Sequence, residues 1–584
     1  METSLCQIIF FLALIRYSVS IIISTSSGKL NGKEVGDYHL FKKIPFAKPP
    51  LGELRFQKPE AVEKWDGIRN ATEYGPACMS NSTVSKSPQK WVDEDCLHVN
   101  VFTSSKCLRS KGCAVVVCIH GGDILYGSAV AFNDTHLLNS FVKKGVILVI
   151  PAFRLGIFSH YVVQNQEISP TNLAFYDILQ SLEYVKSEIH NFGGSNKKIS
   201  LLGHSYGGSM ITMLAFSPIV NQDLSLFQKI IVMSAQEEFE TLEFQIEKTK
   251  RFVENANCSA TVDMTRDQQD TYAMKCLQEK SGLELLRIQR SLEEAGYPPY
   301  GNVAQREPLF PGRTPSEFFD SPVKLPILTG CTGYEFDDKP GNWDLAHLAG
   351  VENIKECDEK YRKDVESGIF DRDNHTDETV GIMVSTKLRV DRFLEKGNPT
   401  FLYELKYPKH AFHVNDLYYI LGLHPFEKDE NENHIEKVYQ TMVTNFAKFG
   451  NPGMGFEASN PKNSSYFEVN WNATTGIRPH INMDFEKKIM DYWLKDMREY
   501  DRKISDEKRR KSLKTRNLGF STFEVNSAVV DRSLYFFFMI LTFSSAFVLL
   551  CLYQKHCKNR RKYILIEGGN FNDFKDTDPN MIVY

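Results

Sequence analysis

Residues 198–215, KISLLGHSYGGSMITMLA, decide how the rest of the chain is read. A short apolar run at 199–202 meets Gly203-His204-Ser205-Tyr206-Gly207, and Met210, Met213 and Leu214 then follow at helical spacing. Strand, sharp turn and helix come in immediate succession, which is the setting a nucleophile elbow needs. In such an elbow the serine sits in a strained backbone conformation, and small neighbours two positions to either side let the helix pack against the strand it leaves. The hydroxyl of Ser205 is then expected at the carboxyl end of a sheet. Without its strand and helix, G-x-S-x-G is a chance pattern, so other stretches must supply a base, an acid and donors for an oxyanion.

Composition narrows the classes. With 584 residues and a formal net charge of −4, the chain can build a sizeable core but offers no basic surface for nucleic acid. An apolar run at 8–15 is too short to span a bilayer and is followed by small residues at 18–20. This reads as a cleaved secretory signal over 1–20, although Glu2 departs from the usual positive start. Residues 534–553, LYFFFMILTFSSAFVLLCLY, carry no charge and are flanked by Arg532 and by Lys555, Lys558, Arg560, Arg561 and Lys562. Length and charge bias predict a membrane span over 533–553 with its basic side in the cytosol. The expected organisation is type I single-pass: a lumenal or extracellular domain at 21–498, a charged stalk at 499–532, the span, and a cytoplasmic tail at 554–584. Within that tail, 563–566 resembles a tyrosine-based sorting signal, and 582–584 is a candidate for a carboxylate-capturing groove.

Two counts bear on this topology. The sequons at Asn70, Asn81, Asn133, Asn257, Asn374, Asn463 and Asn472 all precede the span. The cysteines suit an oxidising compartment, with Cys78 and Cys96, Cys107 and Cys113, and Cys258 and Cys276 spaced as local pairs. Cys118 reads as a small buried side chain, while Cys331 and Cys357 either pair or stay free. No C-x-x-C or His/Cys cluster appears, so neither a metal nor another cofactor is expected.

Along the ectodomain, 28–32 reads as a hairpin, and the proline-rich 41–59 as an extended stretch over a surface. Strands are expected at 94–102, 114–119, 146–150, 230–233, 327–329 and 401–405, with a helix at 173–189. Strands alternating with helices indicate an α/β fold whose mostly parallel central sheet is covered by helices on both faces.

The blocks IPFAKPPLGELRF, EDCLHVNVF, NFGGSNKKISLLG and GHSYGGSM, in this order along the chain, resemble the type B carboxylesterase and cholinesterase family over about residues 25–497. Within it the chain is most similar to nematode intestinal carboxylesterases with a carboxyl-terminal anchor. The resemblance implies the α/β-hydrolase fold and a serine–histidine–acid triad in the chain order Ser, acid, His. A hydroxyl needs an imidazole to take its proton, and the imidazole needs a carboxylate on its other nitrogen. Glu335, after the strand PILTG, matches the family's glutamate, with Asp337 and Asp338 as rivals. His413, heading HVNDLYYILG, matches its histidine, with His410 as competitor. Asp416 is expected to orient that loop or cap the helix after it. The motif His120-Gly121-Gly122-Asp123 matches the family's glycine-rich loop, making the amides of Gly122, Asp123 and Tyr206 the oxyanion donors.

Two departures concern specificity. Asp123 replaces a family glycine, and Tyr206 stands where alanine is usual. Choline esters are not expected, because His204 rather than an acid precedes Ser205 and Trp91 lacks the cholinesterase spacing. Three functions are carried forward: hydrolysis of small-molecule esters, acyl transfer from the same acyl-enzyme to an alcohol or glycoside acceptor, and neuroligin-like adhesion. The three triad candidates weigh against the last.

Overall fold

The computed structural model describes residues 20–80 and 92–521, apart from positions 313, 340, 342, 343, 461 and 463. The chain divides into two compact units, 1–501 and 502–584. The first holds a 13-stranded sheet. In chain order its strands are β1 (Ser20–Ser24), β2 (Lys29–Val35), β3 (Tyr38–Pro45), β4 (Ile68–Asn70), β5 (His98–Ser104), β6 (Cys113–Ile119) and β7 (Val146–Pro151). They continue as β8 (Gly194–His204), β9 (Lys229–Met233), β10 (Ile327–Thr332), β11 (Thr400–Leu405), β12 (Tyr466–Val469) and β13 (His480–Asn482).

Across the sheet the order is β1-β2-β3-β5-β7-β6-β8-β9-β10-β11-β12-β13, with β4 beside β2. Neighbours from β7 to β12 are parallel, and antiparallel pairs close both sides. The parallel strands are near-continuous apolar runs, VVVCI in β6 and VILVI in β7, and these side chains are buried. That is the pattern of strands covered on both faces. The helices that position the site are α1 (Leu173–Glu188), α2 (Tyr206–Phe216), α3 (Asp377–Glu395), α4 (Leu417–Leu421) and α5 (Glu430–Phe449). Three further helices, Leu242–Asn255, Arg266–Glu279 and Gly282–Glu294, bury a separate apolar cluster that includes Phe252, Leu277 and Leu285.

The expected parallel strands and the helix α1 form at or within a few residues of their predicted bounds. Three amino-terminal expectations are corrected. The turn joining β1 to β2 lies at 25–28, where the Thr25 amide donates to the Gly28 carbonyl at 2.9 Å, so residues 29–32 are already strand. Gly32 is needed there for space, since a Cβ would lie 2.4 Å from the Phe41 ring. Residues 41–45 are likewise not surface chain. They belong to β3, with Phe41 and Ile44 fully buried against β5 and only Lys43 exposed among them, and the chain returns to the exterior at Pro49. The strand expected at 94–102 starts at His98, because the Glu94 carboxylate is turned to Arg55 by two hydrogen bonds of 2.6 Å each.

The sulfurs pair as Cys78–Cys96, Cys107–Cys113 and Cys258–Cys276, and Cys118, Cys331 and Cys357 are buried free thiols. Asn70, Asn133, Asn257 and Asn374 are exposed and Asn472 is half-buried, whereas Asn81 and Asn463 lie outside the described residues, as does Trp91. A helix runs over Met497–Ser521, and residues 502–521 are the described part of the second unit. Among the described residues no helix is long and apolar enough to cross a membrane. The span expected at 533–553, the tail, and residues 1–19 of the expected signal lie outside the described residues.

Candidate active site

The turn between β8 and α2 fixes Ser205 at φ 54 and ψ −133, a conformation of the kind a nucleophile elbow imposes. Its amide continues the sheet by donating to the Met233 carbonyl at 2.9 Å. The glycines around it are dictated by contact. A Cβ on Gly203 would stand 2.4 Å from the Gly207 carbonyl oxygen, and one on Gly207 would stand 2.3 Å from that of Ile119. Helix and strands thus approach as closely as backbone allows, and Ser205 is lifted clear of both.

Glu335 follows the end of β10 and is fully buried. One carboxylate oxygen accepts from the Ser234 hydroxyl and from the Thr332 amide at 2.7 Å. The other lies 2.6 Å from His413 Nδ1. A carboxylate accepts, so Nδ1 carries the proton and Nε2 presents a lone pair. That lone pair faces Ser205 Oγ at 3.1 Å. The loop is braced twice more: the His413 amide donates to the Glu335 carbonyl at 2.6 Å, and the Phe336 ring stacks on the imidazole at 4.3 Å. Residues 205, 335 and 413, far apart in sequence, therefore form one unbroken hydrogen-bonded chain.

The rivals are engaged elsewhere. Asp337 takes His375 Nδ1 at 2.8 Å, the Thr376 amide at 2.8 Å and the Thr379 hydroxyl at 2.7 Å, and these bonds, with the His375 charge, outweigh burial to hold its carboxyl below the usual range. His410 Nδ1 pairs with Glu432 at 2.7 Å. Asp338 is exposed beside Lys339 at 4.0 Å. Asp416 stands at the start of α4 as expected but makes no side-chain cap bond.

The loop after β6 brings the remaining candidates together. Gly122 and Asp123 have φ +104 and +54, and the Gly122 carbonyl accepts from the amides of Leu125 and Tyr126 at 2.8 and 3.0 Å. Among the described residues, no acceptor takes the amide protons of Gly122, Asp123 or Tyr206. His120 props this loop. Its Nδ1 donates to the Gly121 carbonyl at 2.8 Å, its ring stacks on Phe153 at 4.3 Å, and burial depresses its pKa to about 4, so it stays neutral.

The cleft above Ser205 encloses about 500 Å³, part of it open to solvent. Asp123, Tyr126, Tyr206, Ser209, Ser234, Gln236, Phe336 and Ile382 line it with Ser205 and His413. The Tyr206 hydroxyl and the Gln236 side-chain oxygen have no partner within the protein. Asp123 is reachable from the cleft, yet the surrounding protein raises its carboxyl above the usual range, against a lowering pull from His413. Ser234, Gln236, Tyr126, Phe336 and Ile382 were not among the sequence candidates. Ser234 alone left a trace, as the first residue after the strand beside the elbow strand.

A profile of the carboxylesterase family matches residues 19–363 and 373–498. The chain belongs to this family. It is 27% identical to Carboxylesterase 1D of Rattus norvegicus over 504 residues, covering 74% of this chain and 86% of the relative. It is 25% identical to Liver carboxylesterase 1 of Mus musculus over 561 residues, covering 84% and 95%. Among solved structures, PNB esterase aligns with TM-score 0.65 at 24% identity over 80% of this chain and 99% of that one. The juvenile hormone esterase of Manduca sexta, solved with OTFP covalently attached, gives 0.65 at 21% over 83% and 100%. These likenesses establish the α/β-hydrolase fold, and family membership supports a carboxylic ester hydrolase acting on small-molecule esters.

Proposed function

We propose that this carboxylesterase is a membrane-anchored enzyme that forms an acyl-enzyme on Ser205 and resolves it with water. The hydrogen-bonded chain Ser205–His413–Glu335 carries this reading. Ser205 Oγ attacks the ester carbonyl carbon as its proton passes to His413 Nε2, and Glu335 stabilises the imidazolium that results. Negative charge grows on the carbonyl oxygen, toward the amides of Gly122, Asp123 and Tyr206. Collapse expels the alcohol, which takes the proton from His413. Water then attacks the acyl-enzyme by the same route in reverse, releasing the acid and free Ser205.

The anchor rests on the uncharged stretch at 534–553 and its basic flank, and the ectodomain's placement in the secretory pathway or outside the cell on the sequons and disulfides. Expression of the full chain followed by alkaline extraction tests the anchor: retention in the membrane pellet is expected, and release would refute it. For the reaction, purified enzyme hydrolyses a p-nitrophenyl ester and Ser205→Ala does not; equal rates would refute the acyl-enzyme.

A second reading, acyl transfer to an alcohol, is favoured by the polar lining of the cleft. Asp123 and Tyr126, exposed in the cleft, offer hydrogen bonds to an acceptor's hydroxyls. Product analysis with an acyl donor and a glucoside separates the two: free acid alone supports hydrolysis, and a new ester supports transfer. Adhesion without catalysis fits poorly with an intact triad.

A further inference from the structure

Behind His413 lies a set of buried polar atoms that the triad does not use. His204, the last residue of β8, is buried and its Nε2 has no hydrogen-bond partner. Its ring centre is 4.8 Å from that of His413, with the planes tilted by 45°. Asp416 is fully buried, and neither carboxyl oxygen has a partner. At the first position of a helix an aspartate ordinarily turns its carboxylate onto the free amides. Asp416 does not, and its Oδ1 lies instead 3.7 Å from His204 Nε2. The hydroxyls of Tyr403 in β11 and Tyr439 in α5 are also buried and unpartnered, their rings 5.7 Å apart.

We propose that His204 and Asp416 form a second imidazole–carboxyl pair, holding one proton between them, that supports the ring of His413 without adding a further negative charge behind it. The proposal rests on the reading of His413 as the base. A fully buried ionised carboxylate whose nearest donors, the amides of Asp416 and Leu417, make no well-formed bond to it is strongly disfavoured, whereas a protonated one becomes a donor itself. The pair's 3.7 Å separation is just beyond hydrogen-bond reach, so a small rotation of either side chain brings a carboxyl O–H to His204 Nε2. The charge environment agrees. Burial first, and then the charge of Glu335, raise the Asp416 carboxyl, while burial first, and then His413 and His424, lower the His204 imidazole. The other titratable groups facing the pair are the phenols of Tyr403, Tyr419 and Tyr439, which burial pushes up. The proton therefore resides on the carboxyl and the pair is neutral. Both are positioning residues, because they reach the reacting atoms only through His413.

The test uses the full chain, a p-nitrophenyl ester, and the pH dependence of kcat/KM. Asp416→Ala is expected to lower kcat by at least about fivefold with KM within about twofold, because His413 loses its support. Asp416→Asn, isosteric and uncharged, is expected to recover kcat to within about threefold of wild type and to keep the acid limb of the profile within about half a pH unit. A smaller loss in the alanine variant, no rescue by asparagine, or an acid limb displaced downward by more than that in Asp416→Asn overturns the proposal. The last result would mean that an anion beside His413 had been removed. Because the alanine variant can fail to fold, difference infrared spectroscopy of wild type against Asp416→Asn gives an independent reading. A protonated-carboxyl band lost in the variant is expected, and its absence from the wild type overturns the proposal. Full turnover in His413→Ala would instead defeat the reading of the base, whatever the Asp416 variants do.

Discussion

Two histidines three residues apart are each held through Nδ1 by a fully buried glutamate, and the bonds are nearly equal: 2.6 Å from His413 to Glu335 and 2.7 Å from His410 to Glu432. They differ in what stands beyond the imidazole. His413 Nε2 faces an alcohol at 3.1 Å, whereas the His410 ring stacks on Phe426 at 4.0 Å. Their glutamates differ too. Glu335 sits at a strand end with only its carboxylate engaged by side chains around the site, while Glu432 closes the capping box at the start of α5 and accepts from the Tyr419 hydroxyl. One chemical pair thus docks a helix, and the other faces a hydroxyl in the geometry that the proposed reaction needs. An imidazole–carboxylate bond is no signature of catalysis until the far nitrogen has a proton to take.

The largest separation is expected between the two histidines themselves. His413→Ala loses about 10⁴-fold or more in kcat, as removal of a triad base does, while His410→Ala stays within about tenfold. Ester hydrolysis at saturating substrate measures both, and equal losses would erase the distinction. The glutamates come next. Glu335→Gln lowers kcat by about 10³-fold with little change in melting temperature, whereas Glu432→Gln leaves kcat within about threefold and costs about 1 kcal/mol in denaturant unfolding. If the two variants behaved alike, the assignment of roles would fail.

Histidines with no glutamate supply a third, smaller effect. Burial lowers His98, His120 and His160 to about 4 each. Their neutral forms fit the fold, so the stability they contribute is complete above the unfolded value near 6.5 and is lost as pH falls from there to about 4. Thermal unfolding across that window reports a falling melting temperature, and a flat profile would refute the sign. The smallest effect concerns Asp123. Its raised carboxyl makes the ionised form unwelcome beside a developing oxyanion, so Asp123→Asn raises kcat/KM about two- to fivefold at pH 8 and less as pH falls toward the point where the native carboxyl is itself protonated. A decrease at pH 8 would mean that the carboxylate serves the reaction.

The parts of this arrangement that the sequence made legible are those written in short, local chemistry. The runs VVVCI and VILVI had to be buried strands, and glycines around Ser205 had to admit a close helix. The roles proposed for Glu335 and His413 needed more than spacing, because His410 is equally well placed in the loop; family resemblance separated them, and the 3.1 Å from His413 Nε2 to Ser205 Oγ gives the physical reason. What stayed hidden depends on long-range packing. No pattern announces that Ser234 will bond the buried carboxylate, that Tyr38–Pro45 will be an interior strand despite its lysines, or that Asp416 will turn from its helix toward His204.

The most direct measurement is covalent labelling of the folded protein with a fluorophosphonate, followed by peptide mapping. The account predicts one modified site, Ser205, with the label lost in Ser205→Ala, strongly slowed in His413→Ala and retained in His410→Ala. Labelling that persists in Ser205→Ala, or a folded wild-type protein that takes no label, would contradict it.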